Sequence, residues 1–448
     1  MEGSRNQESF QVLSSGSKPI RNGLAVLLLA VTFGAQAELQ IDITRGGAEA
    51  APIAVVPFGW LGDDATPYDV SGVIAADLRR TGRFAPIPAS DMLQQPTRGA
   101  QVDYKDWRIL GTEVLIVGEV SPGANGGYMI QFQIFDVFKG KQIFGYRQPA
   151  SADGLRAAAH RVADMIYEKL TGVRGVASTR IAYVNVTGQA VNPTYRLIMA
   201  DADGENARIL VESDKAILSP AWSPDGRRIA YVSFENDNSE VFVQVIRTGG
   251  RDKVSSRKGI NSAPAWSPDG RQLSLTLSKN NGNLDVYTLD LSNQVLRRLT
   301  QGGTIETEAD WAPDGDFIYF TSDRGGAPQI YRIRPDGGRA QRVTFEGKYN
   351  ARPRVSPDNS MLAVVHNDRG NYRIAVVDLE RTYTQVLTDG RLDESPSFAP
   401  NGEVLIYATR ENGRGSLATV TVDGRVQQSI RSFEGDVREP AWGPFPVN

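Results

Sequence analysis

The residues of this chain that could do chemistry are mostly carboxylates, which are gathered in two short stretches. Glu306, Glu308 and Asp310 alternate along one stretch, and Asp393 and Glu394 are adjacent in the other. Carboxylates brought together from such stretches could ligate calcium, or could act as the acid and base of a lyase or glycosidase. Their spacing matches no EF-hand loop. We therefore expect neither a metal ion nor a cofactor at these acids.

Nucleophilic and phosphate chemistry have less support in the sequence. The chain has no cysteine, its two histidines are His160 and His366, and it lacks a Gly-x-Ser-x-Gly nucleophile elbow. Neither the phosphate-binding loop nor the dinucleotide fingerprint is present. We expect both histidines to be surface or half-buried side chains that share no site. The sequence therefore favours a protein that is not an enzyme.

Length and charge narrow the class of protein further. With 448 residues the chain is long enough for two domains, and 49 basic and 52 acidic residues are mixed along it to a net charge of -3. No basic tract suggests binding to nucleic acid. The lack of cysteine excludes disulfides and thiolate zinc sites, so packing alone must stabilise the fold.

The first segment has the pattern of an export signal. Lys18 and Arg21 precede an apolar run at 24–33, and the small-x-small sequence at 35–37 is typical of a cleavage site. Because this run is too short to cross a bilayer as a permanent helix, we interpret residues 1–37 as a removed signal peptide rather than a buried helix. The mature chain is then an exported protein beginning at Glu38, and the absence of disulfides fits a bacterial envelope.

Residues 38–171 have the mixed pattern of a small α/β domain. Apolar runs at 52–58 and 114–120 predict strands, and two further runs that flank 139–141 predict a hairpin. Apolar spacing predicts helices over 68–80 and 153–170. Residues 172–179 carry no apolar period and are interpreted as the linker to a second domain at 180–448.

The second domain is built from a repeat. The stretch "PAWSPDG" occurs at 220–226 and again at 264–270, and related stretches recur at intervals of 43 to 45 residues. In the six stretches the aromatic position is occupied by Trp222, Trp266, Trp311, Val355, Phe398 and Trp442. Short alternating strands fill each interval. Four strands in each such period indicate the blades of a β-propeller, here with six blades.

The two ends of this domain are predicted to share one blade. The first strand of the domain, at 180–186, has no turn motif before it, and the missing innermost strand is available only around Trp442. We therefore expect the C-terminal strand to pair into blade one and close the ring. Closure removes the free strand edges that an open stack would expose.

The Pro-Asp repeat and the segment "ELQIDITRGGAEAAPIAVVPFGW" at 38–60 together resemble the TolB family of the Tol-Pal envelope system. The resemblance covers almost the whole chain. It implies a periplasmic adaptor that binds the peptidoglycan-associated lipoprotein Pal at the mouth of the propeller channel. It also implies that the N-terminal strand binds TolA, that the system supports outer-membrane integrity and constriction at cell division, and that colicins or other outer-membrane lipoproteins use the same surface.

The loops before the six aromatic positions should converge on one mouth of the channel. From the resemblance, Ile260, Asn261, Thr307 and Glu308 match segments that contact Pal. Position in the repeat adds a second set of residues at the same mouth: Tyr349, Asn350, Arg352, Asp393, Glu394, Arg438 and Glu439. Two alternatives stay open: that these side chains are only solvated loop tips, and that the propeller is a lyase or glycosidase acting on envelope polysaccharide.

The N-terminal strand is the second predicted binding segment. Leu39, Ile41 and Ile43 alternate with Glu38 and Asp42, which gives one apolar face and one polar face. A short terminal strand of this kind can pair with the edge of a partner's sheet. By the resemblance we expect these five residues to bind TolA. The mature protein is expected to be a monomer with no membrane span.

Overall fold

The computed structural model of the protein describes residues 50–189, 191–278, 282–430 and 435–446. The predicted signal peptide, and the N-terminal strand with Glu38, Leu39, Ile41, Asp42 and Ile43, lie outside the described residues. Among those that are described, none belongs to a helix long and apolar enough to span a membrane.

A six-stranded mixed sheet with three helices forms the N-terminal domain. Along the chain its elements are β1 (Ala51–Val55), β2 (Gly59–Trp60), α1 (Val70–Arg80), β3 (Phe84–Pro86), α2 (Tyr104–Ile109), β4 (Val114–Pro122), β5 (Tyr128–Asp136), β6 (Lys141–Ala150) and α3 (Leu155–Thr171), with single 3-10 turns at Ala89–Asp91, Gly99–Gln101 and Ala124–Gly126. The strand order is β3-β1-β4-β5-β6, and β2 pairs with β4. Strands β1, β3 and β4 run parallel, whereas β5 and β6 form the predicted antiparallel hairpin.

The two longer helices cover one face of this sheet. Ile74 of α1 and Ile166 of α3 are fully buried in one cluster with Ile53 and Ile116 from the strands. Apolar side chains repeat at helical spacing on α3, which is why this face is buried. The opposite face is covered by α2, whose Trp107 is fully buried. The sequence pattern predicted α1 and α3 but not α2, which is only six residues long.

Segment 172–179, predicted as the linker, is held in place by α3. The Asp164 carboxylate accepts hydrogen bonds from the backbone N–H groups of Ala177 at 2.7 Å and Ser178 at 2.9 Å. Gly172 adopts a left-handed conformation with φ 75° where the helix ends, as helix C-termini commonly require. The connection between the helix and the first propeller strand is therefore fixed by hydrogen bonds.

Six four-stranded antiparallel sheets form the propeller, as predicted. Blade one contains β7 (Arg180–Gln189), β8 (Asn192–Asp201) and β9 (Arg208–Ser213), and blade two contains β10 (Ile217–Trp222), β11 (Arg228–Ser233), β12 (Glu240–Val245) and β13 (Arg251–Ser255). Blade three contains β14 (Asn261–Trp266), β15 (Gln272–Ser278), β16 (Leu284–Asp290) and β17 (Leu296–Arg298), and blade four contains β18 (Glu306–Trp311), β19 (Ile318–Ser322), β20 (Gln329–Arg334) and β21 (Gly337–Arg342). Blade five contains β22 (Asn350–Val355), β23 (Met361–Asp368), β24 (Asn371–Asp378) and β25 (Thr384–Val386), and blade six contains β26 (Glu394–Phe398), β27 (Val404–Glu411), β28 (Arg414–Thr421) and β29 (Gln427–Ser429). The last strand, β30 (Asp436–Trp442), returns to blade one and pairs with β7, so the predicted closure is confirmed.

The repeated motif builds a turn within each blade. In blade two, the Ser223 hydroxyl accepts the Arg228 N–H at 2.9 Å and donates to Asp225 Oδ1 at 2.5 Å, while Gly226 takes φ 65°. The same bonds recur in blade three around Ser267. In these two blades serine and aspartate supply the side-chain hydrogen bonds of the turn, and glycine supplies its positive φ.

The motif also joins neighbouring blades. The Trp222 indole N–H donates to the carbonyl of Ala441 at 3.0 Å, and the Trp266 indole N–H donates to the carbonyl of Ala221 at 3.0 Å. At the seam, the Trp442 indole N–H donates to Thr179 Oγ1 at 2.8 Å. These three tryptophans thus fill the space beside their own sheets and satisfy their indole N–H groups outside those sheets.

Blade one should lose its order when its innermost strand is removed. Deleting residues 439–448 takes Trp442 from its cluster and leaves β7 as an unpaired edge, so we expect a lower melting temperature and lost strand signal in circular dichroism. The point variant Trp442→Ala should lower the free energy of unfolding by about 3 to 5 kcal/mol. The control Trp442→Phe mainly loses the hydrogen bond to Thr179 and should cost about 1 kcal/mol. Equal melting temperatures for the full and shortened chains would contradict closure by β30.

Candidate binding site at the channel mouth

The six innermost strands, β10, β14, β18, β22, β26 and β30, all begin at the same end of the ring. Each of the first five runs from this end to the motif turn at the opposite end. The N-terminal domain contacts the opposite end, where Arg83 pairs with Glu403 at 2.6 Å and the Asn401 amide donates to the carbonyl of Arg174 at 3.2 Å. The loops that precede the innermost strands therefore form a mouth that faces away from the N-terminal domain.

Every innermost strand is interrupted by a β-bulge near its start. The bulged residue stands three positions before the motif aromatic and has a φ between 48° and 56° although it is not glycine. These residues are Ser219, Ala263, Glu308, Arg352, Ser395 and Glu439. In five of the six blades the next residue is proline, which has no N–H to contribute to a strand ladder. The bulges turn all six side chains toward a small channel cavity of about 40 Å³.

Arg352 of blade five occupies the centre of this channel. Its Nε lies 2.5 Å from Glu308 Oε1 of blade four, and its Nη2 lies 3.6 Å from Glu439 Oε1 of blade one. Nη1 donates to the hydroxyl of Ser395 in blade six. Glu439 in turn accepts the backbone N–H of Ser219 in blade two. One guanidinium therefore links four blades directly and a fifth through Glu439.

The charge of Arg352 is secured by its neighbours. Burial lowers the pKa of the Arg352 guanidinium, but the carboxylates of Glu308 and Glu439 outweigh this effect and leave the pKa raised. The guanidinium is therefore always protonated and balances acids that come from two other blades. The channel below the mouth is occupied by an internal ion network rather than by an open catalytic cavity.

Apolar side chains from blades three to six border the charged centre. Ile260 is 46% exposed, Ile305 is 50% exposed and Leu392 is 37% exposed, and all three lie in loops just before innermost strands. The Tyr349 and Tyr372 rings stack edge to face with centroids 5.2 Å apart, and Leu392 bridges to the backbone of Tyr372. We call these five residues the apolar rim. Exposed apolar groups that surround a polar centre are typical of protein interaction surfaces.

The structure brings only part of the predicted site together. Glu308, Arg352 and Glu439 meet in the channel. A second group lies exposed or half-buried on the strand starts and loops of the mouth: Ile260, Thr307, Tyr349, Glu394 and Arg438. The side chains of Asn261, Asn350 and Asp393 are buried instead.

The buried predicted residues shape the loops of the mouth. The amide group of Asn261 accepts from the Ser255 hydroxyl at 2.6 Å and donates to the carbonyl of Arg257 at 2.7 Å. Asn350 donates to the carbonyl of Glu346 at 2.8 Å and lies 2.9 Å from His366 Nδ1. Since all their polar groups are used inside the protein, these asparagines fix the loop backbones and do not present themselves to a partner.

Sequence reasoning missed three bulge residues, Ser219, Ala263 and Ser395, and three rim residues, Ile305, Tyr372 and Leu392. The bulges had a signal in the sequence, which is the proline two positions before the aromatic in five of six repeats. The rim was less apparent in the sequence. Its pattern is an apolar residue that comes directly before the polar residue with which an innermost strand begins. Neither pattern alone gives the direction of a side chain.

Four of the acids considered for catalysis make internal contacts: Glu306, Glu308, Asp310 and Asp393. Buried Glu306 accepts from Arg324 Nη2 at 2.7 Å, and Asp310 Oδ2 accepts the Val355 N–H at 3.0 Å. Buried Asp393 accepts from the Thr409 hydroxyl at 2.6 Å. Carboxylates held in this way stabilise loops and strand starts. They do not form an exposed acid and base pair.

Within the described ranges, one group of residues has the spacing of a metal site, and it lies away from the mouth. It consists of Asp77, His160 and Asp203. Arg80 lies 3.3 Å from Asp77, and Arg156 is hydrogen-bonded to Asp203. Because two guanidinium groups already balance these carboxylates, the set does not fit a divalent ion.

Comparisons with known proteins agree with this architecture. Residues 39–143 match the family model of the TolB amino-terminal domain, and residues 167–446 match that of the TolB beta propeller domain. The chain is similar to the Tol-Pal system protein TolB of Xanthomonas oryzae pv. oryzae (strain PXO99A), at 49% identity over 96% of this chain and 99% of the relative. The corresponding protein of Xanthomonas campestris pv. campestris (strain B100) is 48% identical over the same shares.

A solved structure gives the same result. The crystal structure of TolB from Acinetobacter baumannii superposes with a TM-score of 0.81 at 40% identity, and the match covers 88% of this chain and 97% of that chain. Both domains and nearly the full length of these relatives are therefore matched, and the chain belongs to the TolB family of Tol-Pal system proteins.

Proposed function

We propose that this protein is a periplasmic, non-catalytic adaptor that binds the lipoprotein Pal at the channel mouth and TolA through its N-terminal strand. In this way it supports outer-membrane integrity and constriction at cell division. The observation that carries the proposal is the apolar rim around a channel already filled by Arg352 and its carboxylate partners. Such a surface suits the docking of a protein better than the enclosure of a small substrate.

The position of the mouth also supports an adaptor. The rim lies at the end of the propeller opposite the N-terminal domain, so a partner on the rim leaves that domain accessible to a second partner. Because protein interfaces combine an apolar core with polar groups at defined places, the rim and the Glu308–Arg352–Glu439 network supply both requirements.

The runner-up function, a lyase or glycosidase, has less support. A glycosidase needs two carboxyl groups that flank the bond to be cleaved, one of which donates a proton. Glu308 is bound by Arg352 and Glu306 is bound by Arg324, so neither carboxylate is free to flank a glycosidic bond. Incubation of the purified protein with cell-wall and polysaccharide fragments should therefore give no turnover.

The rim should contribute directly to the affinity for Pal. We expect the double variant Ile260→Ser/Ile305→Ser to weaken binding of purified Pal about 30-fold, because two half-exposed isoleucines together lose about 2 kcal/mol of apolar burial. Isothermal titration calorimetry measures the dissociation constant. The matched control is Val295→Ser/Tyr383→Ser, which removes side chains of 59% and 61% exposure from the outer turns at the other end of the blades. Unchanged affinity in the rim variant would exclude this mouth as the Pal site.

The N-terminal strand should be needed for TolA but not for Pal. In the alternating segment, Ile41→Asp places a charge on the apolar face, whereas Gln40→Asp places the same charge on the polar face. We expect Ile41→Asp to abolish capture of TolA in a pull-down with the mature chain and Gln40→Asp to retain it. Pal capture by both variants should equal that of the wild type. Equal loss of TolA in both variants would contradict pairing through an apolar strand face.

A further inference from the structure

The joint between the two domains contains a buried histidine that the proposed function does not use. His160 of α3 is 2% exposed, and its Nδ1 lies 2.6 Å from Asp77 Oδ2 on α1. On the other side of the ring, Nε2 lies 3.9 Å from Asp203 Oδ2, in the turn between β8 and β9 of blade one. His160 Nε2 has no hydrogen-bond partner. The ring therefore stands between a carboxylate of its own domain and a carboxylate of the propeller.

The protonation state of the His160 ring decides whether its electrostatic interaction with Asp203 of the propeller is attractive or repulsive. In the neutral ring, Nδ1–H donates to Asp77, so Nε2 carries a lone pair that faces the Asp203 carboxylate. In the protonated ring, both nitrogens donate and the positive charge lies between two acids. Only the protonated form attracts Asp203 across the joint.

Other charged groups face the same place from each packed element. Arg80 of α1 lies 3.3 Å from Asp77 and 4.0 Å from Asp203, and Arg156 of α3 is hydrogen-bonded to Asp203 and lies 3.8 Å from Asp201. Arg156 also donates to the Tyr68 hydroxyl before α1. One turn along α3 from His160, Asp164 is held by the linker N–H groups, and burial raises its pKa.

These neighbours determine the direction in which His160 titrates. Burial lowers the pKa of His160, and Arg156 lowers it further, but the hydrogen bond to Asp77 and the charges of Asp77 and Asp203 outweigh both effects. The pKa is therefore raised above that of a free histidine. While the two domains are in contact, the His160 ring therefore keeps its proton to a higher pH than a free histidine does.

A second contact of the joint contains no histidine. Glu403, in the motif turn of blade six, pairs with Arg83 at 2.6 Å and accepts from the Tyr167 hydroxyl. Burial and the nearby Glu403 raise the pKa of Tyr167, so the phenol stays neutral and donates. The joint thus has one contact that includes a histidine and one that does not.

We propose that His160 is a pH-sensitive clamp that, in its protonated form, ties the N-terminal domain to blade one through Asp77 and Asp203. The stabilisation of the joint by His160 is complete below about pH 6.5, which is the ordinary pKa of histidine. This stabilisation is lost as the pH rises through the higher pKa that His160 has when the domains are joined. At alkaline pH only the Glu403 contact, the arginine pairs and apolar packing hold the domains together.

Hydrogen exchange of the protein alone tests this proposal. Amide exchange of residues 201–205 and 77–80 is measured between pH 6 and 8.5, with intrinsic rates corrected for pH and with a chelator present. We expect the protection of these segments against exchange to fall as the pH rises. The fall should be up to about tenfold for each unit by which the pKa of His160 lies above that of a free histidine. Residues 401–404 at the second contact should change less.

Three variants isolate the group responsible. His160→Asn keeps a donor for Asp77 but has no charge, and Asp203→Asn removes the acceptor charge on the propeller; both should flatten the pH dependence. His366→Asn is the matched control, since His366 is the only other histidine of the chain and burial lowers its pKa. This control, and Glu403→Gln, should keep the pH dependence of the wild type.

The outcomes decide the proposal. A wild-type joint whose protection does not vary with pH would overturn it, as would a His160→Asn variant that keeps the wild-type trend. If His160→Asn does not fold, the Asp203→Asn result alone decides. Binding of Pal or TolA is not measured, so these results are independent of the proposed function.

Discussion

The interlock between neighbouring blades is the interaction on which the rest of the structure depends. A tryptophan indole of one blade donates to a backbone carbonyl of the blade before it, as Trp222 does to Ala441 and Trp266 to Ala221. The motif glycines add a second contact, because the turn at Gly270 packs on Pro224 and the turn at Gly226 packs on Pro444. These contacts run across the seam as well as between ordinary blades. Without them the innermost strands would have no common axis, and neither the channel nor its mouth would exist.

Much of the fold could be predicted because the repeat encodes it locally. Blades two to six carry their own turn signals, and the spacing of the aromatic positions counts the sheets directly. The missing innermost strand of blade one could be assigned because only one candidate remained at the C-terminus. In the N-terminal domain the longer helices were readable from apolar spacing, whereas α2 was not. Its six residues are too few for a period, and Trp107 is buried by packing across the sheet.

The site was predictable in position but not in orientation. The loops before the aromatic residues do form the mouth, yet Ile260 is exposed there while the adjacent Asn261 is fully buried. Asn261 is buried because its side-chain amide forms hydrogen bonds with the loop backbone. Ile260 lies outside the core, in the loop before the strand. The bulges add a second difficulty. An extra residue in the strand reverses the alternation that sequence patterns rely on, so the side chains that enter the channel could not be assigned by counting.

The Arg352 guanidinium in the channel has a consequence for geometry. Six nearly equivalent sheets around an axis would offer an approaching molecule six equivalent rotational settings. Arg352 reaches toward Glu308, Ser395 and Glu439 but not toward the blade-three bulge, where Ala263 has no polar side chain to offer. The contacts of Arg352 thereby remove the rotational symmetry of the six blades at this face. A molecule that binds here therefore meets a different set of groups in each rotational orientation about the channel axis.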